Sequence, residues 1–409
     1  MNVLQINYRD SAGKRSNGFD LGKQLRKRRI KSCNMVWEKT TNDRNIWQLG
    51  DGKYRLSSRG WIRSIEDALS VQSLLFPFSW KLLIDNKFYS ANLVHYHLIY
   101  PACFSLLSLP FLTKLRPSVW TLHDPWPITG HCVHPFDCER WKIGCGSCPD
   151  LSSNFVMRRD HTALMWKIKK LAYMFSNIDI VVASKWMLKM AKKSPLVSNF
   201  RLHHIPHGID LDVFRPVSKL KAKKRLGVRP DSIVISFRAD KSEFKGFDFT
   251  KAFLRKLSLK QPVCLLAFGK KNLVDEFADK YQIIDLGWIR DEKLLVDAYN
   301  SSDLMLMPSM AETFGLMAIE AMACEAVVVA FDKTALPEVL FAPDGGLVVP
   351  KGDVAALIKT VEQLVSNPQL RRKIGKTARV LAKKHYSVKS YVDDHIALFK
   401  DVIERRKKK

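Results

Sequence analysis

The chain lacks the long apolar run that a membrane-spanning helix requires. Its longest apolar stretch, from Leu98 to Leu115, contains two prolines, whereas a span needs about 18 to 20 unbroken apolar residues. We predict a buried helix with flanking loops there. The first residues, MNVLQINYRD, turn polar at once, so we expect no secretion signal. Internal repeats and low-complexity tracts are also missing apart from a basic tail, so a repeat architecture is not expected.

Acidic residues are few relative to basic ones. The chain has 40 Asp and Glu against 67 Lys and Arg, which gives a formal net charge of +27. Such an excess attracts anionic partners, among them nucleic acid, acidic lipid and phosphorylated substrates. The charge alone does not choose between these partners.

The basic residues are densest near the N-terminus. Between Lys14 and Lys31 there are eight basic residues and one acid, Asp20, and we predict a short basic helix there. Aromatic side chains for base stacking are almost absent from this run, so we expect no nucleic acid partner. Clustered Lys and Arg contribute about 1 kcal/mol each near an anionic leaflet. The segment therefore favours attachment to an anionic membrane surface, and a plain solvated helix face is the alternative. The basic tail 405–409 either adds to this attachment or is simply frayed.

Length and composition are typical of a two-domain globular protein. The chain has 409 residues, of which 46% are hydrophobic and 26% charged, and domains commonly hold about 150 residues. Apolar strand segments alternate with helical ones, as in parallel α/β sheets. The predicted strands are 2–7, 33–39, 92–98, 118–123, 177–184, 200–206, 233–239, 263–269, 282–288, 303–309, 326–331 and 346–350. We predict two Rossmann-like, doubly wound α/β domains facing a cleft, 1–208 and 218–385, joined by a hinge at 209–217.

Two glutamates, Glu312 and Glu320, stand in the apolar run MPSMAETFGLMAIEAMAC. An ionised carboxylate in such surroundings is costly without a partner, so Glu320 must have one. A helix beginning near Phe314 offers free backbone N–H groups at Thr313 and Gly315, which suit a phosphate. The two carboxylates would lie about 12 Å apart, enough to hold the sugar and the ribose of one nucleotide-sugar. Glu320 paired with a core Lys or Arg is the alternative.

This segment resembles the E-x7-E signature of the family 4 retaining glycosyltransferases, which have the GT-B fold. The flanks 286–309 and 326–340 resemble the family's neighbouring strands and loops. The resemblance implies transfer of a hexose from a UDP or GDP sugar to a saccharide or lipid-linked acceptor. It implies that Glu320 holds the ribose hydroxyls. It also gives Glu312 and the backbone of Phe314, Gly315 and Leu316 the sugar and phosphate, with Thr313 beside them.

The same resemblance marks further residues. Arg238, after a strand, and Lys245, seven residues later, match the family's pair that neutralises the donor diphosphate, with no metal ion required. His123 matches a histidine beside the donor sugar, and Asp124 and its neighbours Trp126 and His131 are weaker candidates. The family usually carries a Gly-Gly loop after its first strand, where this chain offers only Gly13. The resemblance also predicts a helix at 386–409 that crosses back to the first domain.

Four of the eight cysteines fall within seventeen residues, in a C-x5-C-x6-C-x2-C arrangement. They are Cys132, Cys138, Cys145 and Cys148. Four thiolates hold zinc tetrahedrally, so a structural zinc site is one interpretation, and plain reduced thiols are the other. The segment resembles an insertion in family 4 enzymes of bacterial exopolysaccharide and colanic acid biosynthesis, in which HD is followed by TGHC and CERW.

Two rival functions stay open at the level of sequence. An inverting transferase or a sugar-nucleotide epimerase on the same fold would need a general base, for which His123 and Asp124 qualify. A catalytically silent, basic RNA-binding protein would explain the net charge but not the register of Glu312, Glu320 and Arg238. The interpretation we carry forward is a cytoplasmic transferase of surface polysaccharide synthesis, peripheral on the inner face of the plasma membrane.

Overall fold

The computed structural model describes residues 1–10, 18–49, 52–100, 103–152 and 155–408. The chain divides into two compact units. The first comprises Met1–Ile205 with Val392–Lys409, and the second Pro206–Tyr391. Each is an α/β unit built on a parallel sheet, which confirms the predicted fold class.

The first unit contains a parallel sheet with the strand order β3-β2-β1-β4-β5-β6-β7. Its strands are β1 (Asn2–Arg9), β2 (Lys31–Glu38), β3 (Ile46–Gln48), β4 (Leu93–Tyr96), β5 (Ser118–Leu122), β6 (Asp179–Val182) and β7 (Leu202–His204). The order of the strands reverses between β1 and β4, which pair in parallel. In doubly wound sheets, such a reversal opens a crevice beyond the carboxyl ends of the strands.

Helices connect these strands. They are α1 (Phe19–Lys27), α2 (Gly52–Leu69), α3 (Asn86–Ser90), α4 (Leu109–Leu115), α5 (Thr162–Met174) and α6 (Lys185–Lys193). The amphipathic α1 buries Phe19, Leu21 and Leu25 and carries its basic residues outward. This confirms the predicted short basic helix.

The second unit contains a parallel sheet with the strand order β10-β9-β8-β11-β12-β13. The strands are β8 (Ile233–Ala239), β9 (Val263–Gly269), β10 (Gln282–Gly287), β11 (Leu304–Met307), β12 (Val327–Phe331) and β13 (Leu347–Val349). The central strands β11 and β12 are buried throughout, the pattern of a sheet covered on both faces.

Seven helices flank this sheet in the described part of the second unit, and an eighth leaves it. They are α7 (Lys219–Leu226), α8 (Phe247–Lys256), α9 (Glu292–Ser301), α10 (Leu316–Ala323), α11 (Leu336–Val339), α12 (Val354–Ser366), α13 (Pro368–His385) and α14 (Val388–Lys407). From Val392 onward α14 belongs to the first unit, and residues 209–217 belong to the second. In the first unit, the ring of His395 of α14 lies tilted against that of His95, with the ring centroids 5.6 Å apart.

Every strand predicted from the sequence exists, and each of its ends lies within two residues of the predicted position. The three-residue edge strand β3 was not predicted. The prediction of a buried helix between Leu98 and Leu115 was wrong in part. The helix found there, α4, is not fully buried, since Phe111 is 53% and Leu115 47% exposed. Among the residues described, every helix is too short or too polar to cross a membrane.

Candidate functional site

Three neighbouring strands of the second unit, β8, β11 and β12, bring their following loops together at one edge of the sheet. The tight turn Glu243–Lys245 after β8 lies against the loop after β11, where Met310 N donates to the carbonyl of Phe244 at 3.0 Å. Gly246 makes this approach possible. Its φ is +63°, and a Cβ at this position would overlap the carbonyl oxygen of Pro308. Only glycine fits there without strain.

The close approach of these loops places a cation on an acid. Lys245 Nζ lies 2.7 Å from Glu312 Oε1, and both side chains are largely buried. The Ser309 hydroxyl also donates to Glu312 Oε1, at 3.3 Å. The backbone N–H of Glu312 donates to Thr334 Oγ1 in the loop after β12, at 3.2 Å. Glu312 is therefore fixed by groups from all three loops.

A second ion pair lies at the end of β8. Arg238 donates through Nε at 3.0 Å and through Nη2 at 2.6 Å to Asp240 Oδ2. Burial alone would raise the pKa of Asp240, but the N–H of Ser242 and the charge of Arg238 lower it below its ordinary value. The guanidinium also lies 5.4 Å from the ring centroid of Trp288, which follows β10 and is 65% exposed. Neither Trp288 nor Asp240 was predicted from the sequence as a site residue.

Helix α10 follows the loop of Glu312. It begins at Leu316, with Gly315 as a left-handed N-cap at φ +95°, two residues later than the sequence suggested. Glu320, on its second turn, is fully buried, and its Oε2 accepts from the hydroxyl of Tyr299 at 2.8 Å. Glu320 thus has the polar partner that the sequence demanded. Because it is fully buried in this state, its predicted contact with a ribose stays a prediction.

In the first unit, His123 directly follows β5. Its Nε2 lies 3.0 Å from Nδ1 of His97, which follows β4, and His97 Nε2 lies 2.7 Å from Gln5 Oε1. Burial lowers the pKa of His123 to about 3, so the ring is neutral at physiological pH. No sequence motif marks His97, although it directly follows β4, the strand that pairs with β5. Gly13 lies outside the described residues.

The loop after His123 is held by buried polar contacts. Asp124 accepts from the hydroxyl of Tyr100 and from the N–H of Trp126, and burial raises the pKa of Asp124 to about 6. Lys169 of α5 is fully buried, with Nζ 2.7 Å from the carbonyl of Trp126 and 2.9 Å from that of Thr129. Burial lowers the pKa of Lys169 to about 7. By donating to these two carbonyls, Lys169 holds the loop 126–129 in place.

The cysteine cluster follows that loop, and none of its four thiols is in a disulfide. Burial raises the pKa of Cys132 to about 12 and that of Cys145 to about 11. Across the described ranges, no three His, Cys, Asp or Glu side chains are arranged to hold a metal ion. The zinc site therefore stays a prediction from the spacing of Cys132, Cys138, Cys145 and Cys148.

The second unit matches a family model. Residues 218–381, which include both ion pairs and α10, match the model "Glycosyl transferases group 1". The chain carries a glycosyltransferase domain. The first unit lies outside the match, so its residues derive no support from it.

Similar proteins agree with this assignment. The glycosyltransferase is 24% identical over 322 residues to a protein of Escherichia coli K12 named "Putative colanic acid biosynthesis glycosyl transferase WcaC", covering 76% of each chain. It is 30% identical to the D-inositol 3-phosphate glycosyltransferase of Paenarthrobacter aurescens, over 47% of this chain and 51% of that one.

Solved structures share the whole fold. Sucrose-phosphate synthase from Thermosynechococcus elongatus superimposes with a TM-score of 0.72 at 19% identity, covering 99% of this chain and 100% of that one. HepE of Anabaena, solved in complex with UDP and glucose, superimposes with a TM-score of 0.66 at 15% identity, covering 98% of this chain and 100% of that one. At these identities the likeness shows the fold alone, two parallel-sheet α/β domains that match GT-B structures. The enzyme class rests on the matched domain.

The structure thus brings together part of the predicted set. Lys245 and Glu312 meet directly, and the backbone of Thr313, Phe314, Gly315 and Leu316 leads from Glu312 into α10. Arg238 stands at the end of the adjacent β8 and is engaged by Asp240. His123 and the cysteine cluster belong to the first unit. The residues missed are the partners, Asp240, Trp288, Tyr299 and His97, which no local motif marks.

Proposed function

We propose that this glycosyltransferase transfers a hexose from a nucleoside diphosphate sugar, with UDP or GDP as the nucleotide, to a saccharide or lipid-linked saccharide in surface polysaccharide synthesis. The observation that carries the proposal is the Lys245–Glu312 ion pair at the mouth of α10. It combines a cation, an acid and the amino end of a helix within one loop cluster. A sugar diphosphate needs that combination, because its phosphates require positive charge and its hydroxyls require acceptors.

The cations can serve the diphosphate while keeping their acidic partners. Lys245 has three N–H donors, of which the bond to Glu312 uses one. Arg238 has five, of which Nε and one on Nη2 bind Asp240. The acids hold both cations in place before a ligand arrives. Preorganised charge of this kind lowers the barrier for a departing diphosphate, so we expect no requirement for a divalent metal ion.

Trp288 gives the nucleotide a further contact. Its indole is mostly exposed, at the carboxyl end of β10, and Arg238 lies against one part of it. An exposed indole beside a cation that binds phosphate suits stacking with the base. We assign it the base of the donor nucleotide. The structure of HepE with UDP shows that a protein of this fold takes such a nucleotide.

The reaction proceeds with retention in this proposal. The bond between the anomeric carbon and the diphosphate oxygen breaks, and the acceptor oxygen bonds to the same face of that carbon. The acceptor proton passes to the leaving phosphate oxygen, so no protein nucleophile is used. Glu312 accepts from the sugar hydroxyls and Glu320 from the ribose once its site opens, while Arg238 and Lys245 stabilise the diphosphate.

The general-base alternatives find little support in the first unit. His123, with a pKa of about 3, is too weak a base for an inverting mechanism at neutral pH. Asp124, with a pKa of about 6, is engaged by Tyr100 and the N–H of Trp126. We therefore assign neutral His123 to hydrogen bonding with a sugar hydroxyl and give Asp124 a structural role.

A lipid-linked acceptor would place the enzyme at a membrane, so we include peripheral attachment to an anionic surface in the proposal. The basic helix α1, which carries its charges outward, supports it, and so does the basic last turn of α14. The similarity to the colanic acid transferase supports the polysaccharide role.

The experiment supplies UDP-glucose, UDP-galactose, GDP-mannose and GDP-fucose with extracted lipid-linked oligosaccharides and follows the product by NMR. We expect turnover with one nucleotide class, unaffected by EDTA, and a product anomer that matches the donor. An inverted anomer would contradict retention, and loss of turnover in EDTA would contradict the metal-independent mechanism. Binding of RNA with no turnover for any donor would favour the silent RNA-binding alternative.

A further inference from the structure

Helices α4 and α5 of the first unit expose apolar side chains that a helix of a globular protein normally buries. On α4, Phe111 and Leu115 are 53% and 47% exposed, while the opposite side of the helix is buried. On α5 and the residue after it, Leu171, Met174 and Phe175 are 55%, 65% and 51% exposed. Their spacing of three to four residues puts them on one side of each helix. A helix that is apolar on both sides needs a second apolar environment.

The two stripes form one surface. The helices pack against each other, and Lys114 Nζ of α4 lies 5.7 Å from the ring centroid of Phe175 at the end of α5. Trp80 extends the surface, with its ring centroid 5.3 Å from that of Phe111. We call the whole the α4–α5 face. It consists of Trp80, Leu107, Phe111, Lys114, Leu115, Lys167, Lys170, Leu171, Met174 and Phe175.

The charge of this face has one sign. The sequence has no Asp or Glu at 86–123 or at 161–178, the segments that supply both helices. Lys114, Lys167 and Lys170 all point to solvent among the apolar residues. The basic end of α14 adjoins the face, since the guanidinium of Arg406 donates to the carbonyl of Lys114. Two acids near that end, Asp179 and Asp401, are engaged by Arg405.

We propose that the α4–α5 face docks this enzyme on an anionic lipid bilayer, its apolar side chains entering the headgroup boundary and its lysines contacting lipid phosphates. The inference rests on the peripheral attachment proposed above and names the surface that performs it. It moves the main contact from α1, the site that the sequence favoured, to α4, α5 and the adjoining end of α14.

The composition favours lipid over a protein partner. Protein–protein interfaces are depleted of lysine, whereas interfacial helices combine lysine with Leu and Phe. A long lysine side chain can bury its methylenes beside Phe111 or Leu171 and still place its ammonium at the headgroups. The exposed apolar side chains of the face match the apolar boundary of a bilayer. Its lysines, with no acid among them, match the negative charge of the lipid phosphates.

The test is co-sedimentation of the full chain with phosphatidylcholine vesicles, with and without phosphatidylglycerol. One variant removes apolar contact by Phe111→Ser, Leu171→Ser and Met174→Ser. A second removes charge by Lys114→Gln, Lys167→Gln and Lys170→Gln. We expect wild type to bind only the anionic vesicles. The charge variant should bind on the order of 100-fold more weakly, because each lysine is worth about a factor of five.

Two control variants locate the effect. Leu220→Ser with Val380→Ser removes residues 61% and 63% exposed in the second unit and should bind as wild type. Lys23→Gln, Lys27→Gln and Lys31→Gln remove exposed charge from α1 and the start of β2 and should weaken binding less than the charge variant. Donor-dependent thermal stabilisation of every variant shows that it is folded.

The outcomes separate the two levels of the proposal. If wild type binds neither vesicle, the peripheral attachment and this surface both fail, while glycosyl transfer to a soluble acceptor is untouched. If wild type binds but the face variants bind equally and the α1 variant does not, attachment stands and the α4–α5 face is overturned. Concentration-dependent dimers in light scattering, abolished by the face variants, would overturn it in favour of self-association.

Discussion

Gly246→Ala tests the loop geometry on which the donor site depends. A Cβ at this position would lie 2.8 Å from the carbonyl carbon of Pro308 and closer still to its oxygen, and both are backbone atoms that cannot rotate away. The turn must then move off the loop after β11, breaking the two hydrogen bonds that Met310 and Ala311 donate to the carbonyl of Phe244. Lys245 would move with the turn and leave Glu312.

The magnitude follows from these losses. A left-handed alanine costs about 1 kcal/mol, and two backbone hydrogen bonds contribute about 1 kcal/mol each. The sum of about 3 kcal/mol corresponds to roughly 6 to 12 °C in the melting temperature of a unit of this size. Donor binding should fall as well, because the cation no longer stands at the site.

A matched glycine provides the control. Gly227, the C-cap of α7, also has a positive φ, +72°, but a Cβ there would meet nothing within 4 Å. Gly227→Ala should therefore cost only the backbone strain, roughly 2 to 4 °C, and leave donor binding intact. Calorimetric melting with and without UDP and GDP measures both effects. Equal melting shifts in the two variants, with full donor binding retained by Gly246→Ala, would refute the reasoning.

Three further predictions follow from single contacts. Trp288→Ala should weaken binding of the donor nucleotide about tenfold in a calorimetric titration without lowering the melting temperature, because base stacking contributes about 1 to 3 kcal/mol. The control is Trp61→Ala, which removes an indole 72% exposed in the first unit and should leave the affinity unchanged. An equal loss of affinity in both variants would contradict the assignment of Trp288 to the base. Tyr299→Phe should lower the free energy of unfolding by about 2 kcal/mol, since it removes the hydroxyl that donates to buried Glu320, and unchanged stability in urea would refute that. Lys169 has a pKa of about 7 in the folded protein and an ordinary pKa of 10.5. Between these pH values the unfolded chain binds more protons than the folded one, so the free energy of unfolding rises with pH. The unfolding free energy of wild type minus that of Lys169→Met should therefore increase by about 2 kcal/mol from pH 7 to 9, and a difference that does not change with pH would contradict the shifted pKa.

The sequence predicted best those features that a local pattern of residues marks. Buried β-branched runs such as Val327–Phe331 predict parallel strands, and the strands were found at the predicted places. Ile46–Gln48 escaped because three residues do not establish a period. Lys245 and Glu312 were both identified by motif, but their contact spans 67 positions and depends on Gly246, so only the fold reveals it.

Other residues could not be found from local sequence. Asp240 and Tyr299 are ordinary polar residues until packing places them against Arg238 and Glu320. The stretch ending in α4 was predicted to be buried because apolar composition does not tell which side of a helix is covered. The structure shows that Phe111 is not.

The central claim is that the loops after β8, β11 and β12 bind a nucleoside diphosphate sugar, and a calorimetric titration of UDP, GDP and their hexose conjugates tests it most directly. The proteins to compare are wild type, Lys245→Met, Glu312→Gln and, as a control, Glu362→Gln, an exposed acid on α12. We predict that wild type and the control bind one nucleotide class equally, that Lys245→Met loses affinity for nucleotide and conjugate alike, and that Glu312→Gln loses more affinity for the conjugate than for the free nucleotide. Equal binding by all four proteins would contradict the claim.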